Sequence, residues 1–145
     1  IIKNNSDIGN QTWYTMYKKA KGIAVNNNVT SSMIWGSQWD ATMRWMYNSG
    51  NEEKKKYTYD SRGKGNYSSD SPIATGSIEA YAVNNIYDMA GNVSDWTIEA
   101  NSTDGRVSRG GCSSSSGNNR PASIRNGNYP TSSNDVSGFR VALYM

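Results

Sequence analysis

A chain of 145 residues, 35% of them hydrophobic and 19% charged with a net charge of +3, is long enough for one domain with a lean core. It holds no His and a single Cys, which removes Ser-His-Asp and Cys-His catalysis, His-ligated zinc and any intrachain disulfide. The modest charge, with its densest run Lys54-Lys55-Lys56 directly after Glu52-Glu53, gives no basic stripe with spaced aromatics and so no nucleic-acid surface.

Five Trp and ten Tyr supply the buried area that aliphatic residues do not, because each ring covers a large surface. No stretch reaches the roughly 18 apolar residues of a membrane-spanning helix. The chain opens Ile1-Ile2-Lys3 with neither Met nor a signal pattern, which is expected of a segment of a longer protein.

Along the chain, Trp13, Met16, Tyr17 and Ala20 fall on one helical face, predicting a helix over 10–21 capped by Asn10 and ended by Gly22. A loop follows over 23–30. Trp39, Met43 and Met46 mark a second helix over 37–47, preceded by Trp35 and stopped by Asn48-Ser49-Gly50. A Trp/Met stripe at this spacing is core rather than a cofactor box. Residues 50–77 read as a polar excursion with at most a short strand. From Asn84 the pattern changes to short strands: Ile86-Tyr87, 93–98, 106–109 and 139–144. Two helices followed by a mostly antiparallel region give an α+β fold.

Between Arg109-Gly110-Gly111 and Gly138-Phe139-Arg140 lie 26 residues, of which eight are Ser and five are Asn. Such residues favour turns and solvent and add little core. The apolar run Val141-Ala142-Leu143-Tyr144 that follows argues against a disordered linker. A polar, loop-rich segment pinned between two anchors is suited to binding.

Three blocks then line up: Gln38-Trp39-Asp40; Tyr87-Asp88-Met89-Ala90-Gly91-Asn92-Val93-Ser94-Asp95-Trp96-Thr97; and Arg109-Gly110-Gly111 with Arg125 and Gly138-Phe139-Arg140. Their order and spacing resemble the formylglycine-generating-enzyme/sulfatase-modifying family, a branch of the C-type lectin fold, over roughly residues 29–143. Ser94 and Asp95 depart from the Trp and Glu of the family pattern. The resemblance implies a single C-type lectin-like domain over 1–145, with two helices, short antiparallel strands and much irregular loop.

The family's enzymes oxidise a substrate cysteine with a copper-binding cysteine pair. Here the matching interval holds Cys112 alone, and one thiolate cannot form a two-sulfur Cu(I) site. The family's iron-dependent sulfoxide synthases need a His cluster, which is missing. No copper, iron or zinc is therefore expected, and the fold does not bring the chemistry with it.

Asp88 and Asp95 flank a Gly91-Asn92 turn, and the carbonyls of Gly91 and Val93 can complete an oxygen-only set of the kind Ca²⁺ prefers. The family binds calcium at the positions matching Asp88, Gly91, Val93 and Asp95, so the resemblance implies a structural calcium ion. The alternative is that both aspartates cap turns. Arg109, Arg125 and Arg140 read as structural donors to loop carbonyls.

A subgroup resembles the chain more closely: the target proteins of diversity-generating retroelements, in which adenines of a C-terminal segment are rewritten. Over 109–141, the residues reachable from an Asn codon by adenine changes are Cys112, Ser113, Ser114, Ser115, Ser116, Asn118, Asn119, Arg120, Ile124, Asn126, Asn128, Tyr129, Ser132, Ser133 and Asn134. Pro121, Ala122, Arg125, Pro130, Gly138 and Phe139 form the fixed scaffold, with the prolines holding φ. The resemblance implies a non-catalytic, hypervariable surface whose Ser, Asn and Tyr match paratope chemistry, with Tyr129 and Arg120 as anchors. Its ligand is expected to be a protein or glycan on another cell or virion, and its location a phage virion or a bacterial cell surface. Two alternatives stand: a fixed-specificity lectin-like domain, and an oxidase of the formylglycine-generating type, which the missing cysteine pair disfavours.

Overall fold

The computed structural model describes residues 10–23, 26 and 28–145. Helix α1 spans Trp13–Lys21 and buries Trp13, Met16 and Ala20, the face that periodicity marked. Its cap is Thr12, whose side chain accepts from Thr15 N. Asn10 instead donates its backbone N–H to Asn134 O at 2.6 Å. Helix α2 spans Gly36–Tyr47 and buries Trp39, Met43 and Met46.

A third helix, α3 (Glu52–Tyr59), lies where the sequence suggested only a polar excursion. Its ends carry the usual helix signals. The Asn51 side chain accepts from Lys54 N, Glu52 and Glu53 occupy the first turn, and Lys56 the last. Only Tyr57 and Thr58 are buried, so the apolar stripe that announces a helix is nearly absent.

The strands are β1 (Thr30–Met33), β2 (Ala82–Val83), β3 (Ile86–Tyr87), β4 (Ser94–Ala100), β5 (Arg106–Arg109), β6 (Arg125–Asn128), β7 (Ser137–Phe139) and β8 (Val141–Tyr144). A four-stranded sheet runs β6-β5-β4-β7, and β1-β8 and β2-β3 form two-stranded pairs. The single strand expected over 139–144 is in fact two. Arg140 breaks it, leaving β7 parallel to β4 and β8 antiparallel to β1. The α+β class stands, with three helices among the described residues rather than two.

Two clusters form the core. Trp13, Met16 and Ala20 of α1 meet Met33 of β1 and Trp96 of β4. Trp39, Met43 and Met46 of α2 meet Tyr57 of α3, Met89, Ala90 and Ala122. An indole anchors each of α1 and α2: Trp13 Nε1 donates to Thr97 O of β4 (2.8 Å) and Trp39 Nε1 to Ala122 O in the turn before β6 (2.9 Å). No described helix is long and apolar enough to cross a membrane.

Candidate functional site

Two buried arginines join the three sequence blocks into a frame. Arg109, 2% exposed, donates from Nη2 to Asp40 Oδ1 (2.6 Å) and from Nη1 to Ser123 O (3.0 Å), tying α2 to the polar segment. Glu99 stands beside it, 3.4 Å from the same nitrogen, and also accepts from Arg125 Nε. Arg140 donates from Nε to Asp95 Oδ2 (2.6 Å) and from Nη2 to Tyr87 O (2.7 Å), tying the end of the sheet to the central block. The role in bonding loop carbonyls expected of these side chains is what Arg109 and Arg140 perform.

The glycines after Arg109 have a steric reason. Gly110 and Gly111 hold φ of +86° and +70°, and a Cβ on them would lie 2.6 Å from Met89 O and 2.5 Å from Arg120 O. Only glycine fits both the dihedral and the space.

Beyond Gly111 the main chain is docked by its own backbone. Ser113 O accepts from Ser69 N, Ser115 O from Ser68 N and Gly117 O from Ser61 N, each at 2.9 Å, while Ser113 N donates to Asn92 O at 2.8 Å. The Tyr67 hydroxyl, within reach of Gly110 O (3.0 Å) and Arg120 O (2.9 Å), bridges the two ends of the turn. The polar stretch 61–69 is therefore the cradle of the segment.

The fifteen residues marked as a candidate binding set divide by position. Ser114, Asn118, Asn119 and Arg120 are exposed around this cradle, with Ser115 and Ser116 half-buried. Ile124 just before the edge strand β6 and Asn126 and Asn128 on it are half-buried, and Asn128 Nδ2 donates to Ser108 Oγ at 3.1 Å. Tyr129, 69% exposed, follows the strand, and Ser132, Ser133 and Asn134 are exposed beside the start of α1.

Cys112 and Ser113 correct the reading. Both are buried, Ser113 completely; the chain has just left the sheet, and Ser113 N is still bonded to Asn92 O. Neither lies on the exposed face of the segment. The Cys112 Sγ lies 3.4 and 3.2 Å from the hydroxyls of Ser114 and Ser115. Burial pushes the thiol pKa up, but these hydroxyl bonds outweigh it and the net shift is downward.

A cavity of about 450 Å³ opens elsewhere, between Thr42 of α2, the β2-β3 turn and Arg140-Val141, and none of the fifteen residues lines it.

The aspartates of the central block are both buried. Asp88 Oδ2 accepts from Gly76 N at 2.8 Å, and Asp95 closes on Arg140. Among the described residues no three His, Cys, Asp or Glu come together as a metal cluster. With a guanidinium already bonded to Asp95, the arrangement does not fit an oxygen-only calcium site at Asp88, Gly91, Val93 and Asp95.

Burial raises the Asp88 pKa, against the lowering effects of the Gly76 N–H and Arg140. A raised pKa means that the folded state holds the proton more tightly than the unfolded one. Ionised Asp88 thus costs stability at neutral pH, and that cost disappears as pH falls through its folded pKa. Asp88 also sits at φ +52°, a conformation Asn tolerates well. Asp88→Asn is expected to raise the melting temperature slightly at neutral pH, with the gap closing as pH drops through the carboxylate range. Calorimetry of both proteins across that range checks it.

The family model of the sulfatase-modifying factor enzyme 1-like domain matches residues 20–145. The chain belongs to this family. No curated protein matches it. Among solved structures, this family member is similar to Treponema denticola variable protein 1, with a TM-score of 0.64 and 16% identity, covering 95% of this chain and 74% of that one. It is also similar to CarF, with a TM-score of 0.67 and 13% identity, covering 93% of this chain and 66% of that one. At these identities the likeness establishes the fold: the C-type lectin-like arrangement characteristic of the sulfatase-modifying family.

Proposed function

We propose that the domain is a non-catalytic recognition module whose binding face is the segment between Gly111 and Gly138, diversified by a retroelement. The observation that carries this is the manner of docking. Side chains at Ser114, Asn118, Asn119, Arg120 and Tyr129 point to solvent, while the segment is fixed by main-chain bonds and by Gly111, Ala122 and Pro130. Backbone bonds do not depend on side-chain identity, so the face can change chemistry while its frame persists.

That one structural neighbour is called a variable protein supports this reading. The family name refers to an enzyme, but a single Cys cannot supply a cysteine pair. The exposed set extends past both ends of β6, itself about 13 Å long. A surface of that reach fits a macromolecular ligand, a protein or glycan presented on another cell or virion, met from a phage particle or a bacterial surface.

The coding locus tests the proposal. A reverse transcriptase gene and a near-copy of the stretch encoding 109–141, differing only at adenines, are the expected finding. A complete locus containing neither would remove the diversification claim.

A further inference from the structure

We infer that Arg140 takes the place of a metal ion at the central turn, so that the domain holds this block together without calcium. The oxygens a hard cation would collect here are a carboxylate and carbonyls of the same turn. Arg140 takes the carboxylate of that set and a carbonyl of the strand β3 that leads into the turn: Nε to Asp95 Oδ2 at 2.6 Å and Nη2 to Tyr87 O at 2.7 Å. Asp95 is 2% exposed, so water does not compensate its charge, and a buried carboxylate needs a partner cation.

The sheet dictates the approach. In the parallel pairing of β4 with β7, Asp95 lies opposite Gly138. A Cβ at Gly138 would come 2.9 Å from Val93 Cγ2 and 3.7 Å from Asp95 Oδ1. The bare glycine lets β7 run close against the turn, and the chain then breaks from β7 to β8 at Arg140. That break points the side chain back at Asp95, where Trp39 backs the guanidinium at 5.7 Å. The Gly-Phe-Arg block therefore reads as a unit: Gly138 gives clearance, Phe139 packs in the α1 core and Arg140 supplies the charge.

Arg140 also favours the ionised form of Asp88, so one guanidinium serves both aspartates. A divalent ion added beside it would meet a buried positive charge at short range, which disfavours binding. Asp95, one methylene shorter than the Glu of the family pattern, still reaches the Arg140 Nε.

The intact domain tests this by thermal unfolding in EDTA and in millimolar calcium chloride. The expected result is the same melting temperature within about 1 °C, whereas an ion at a hundredfold excess over its Kd would raise it by on the order of 10 °C. A saturable rise of that size overturns the inference. Arg140→Gln is expected to lower the melting temperature by several degrees, and adding Asp95→Asn to recover part of the loss. A loss that Asp95→Asn leaves untouched would also overturn it, since Arg140 would then be acting through something other than the charge of Asp95.

Discussion

Trp39→Ala is expected to lower the stability of the domain by about 3–5 kcal/mol, the range for removing a fully buried Trp. The side chain has no exposed surface and sits in the middle of the α2 cluster. Its indole N–H holds Ala122 O, and its ring backs the Arg140 guanidinium. One truncation therefore opens a cavity, strands a buried carbonyl and loosens both anchors of the polar segment. The melting temperature should drop by roughly 10–15 °C, a large share of the total stability of a typical domain. Thermal unfolding monitored by Trp fluorescence measures it, and a drop of only a degree or two would show that α2 is not the base of the face. Trp39→Phe keeps the volume of one ring and loses the hydrogen bond, and should retain about half of the stability difference.

Arg109→Met is expected to destabilise by about 2–4 kcal/mol. Removing one partner of a fully buried pair costs about 3–5 kcal/mol, but Asp40 is 45% exposed and can turn to water, which reduces the loss. Ser123 O loses its Arg109 donor and Glu99 keeps only Arg125. Arg109→Lys should restore little, since an ammonium cannot fork between Asp40 and Ser123. A double-mutant cycle with Asp40→Asn isolates the pair, and a coupling near zero would mean that Arg109 acts through packing alone. Limited proteolysis of Arg109→Met should cut first within 112–123, the segment this arginine holds down.

Several features of this fold can be read directly in the sequence. α1 and α2 carry apolar stripes of period 3.6, and the blocks around Asp88, Arg109 and Arg140 mark the frame they turn out to build. What escapes notice has physical causes. Helix α3 buries little, so its stripe is faint, although Asn51 followed by Glu52 and Glu53 is a legible start signal. Strand β6, Arg-Asn-Gly-Asn, has no intrinsic strand preference and exists because β5 pairs with it. The burial of Cys112 and Ser113 goes with the bonds of Ser113 to Asn92 and to Ser69 of the 61–69 cradle, contacts distant in sequence. The ion pair of Asp95 with Arg140 was equally hidden, because a carboxylate beside a glycine turn looks the same whether a metal or a guanidinium will meet it.

The proposed function requires that the exposed side chains of the polar segment change freely while the frame stays fixed, and that they bind. A display library randomised at Asn118, Asn119, Arg120, Tyr129 and Ser133 and selected against unrelated proteins measures both at once. Exposed substitutions away from bonded groups each shift stability by about 0.5 kcal/mol or less. The selected clones should therefore differ by target and melt within roughly 5 °C of the parent. A library whose members fail to fold, or fold and yield no target-specific clone, would contradict the account.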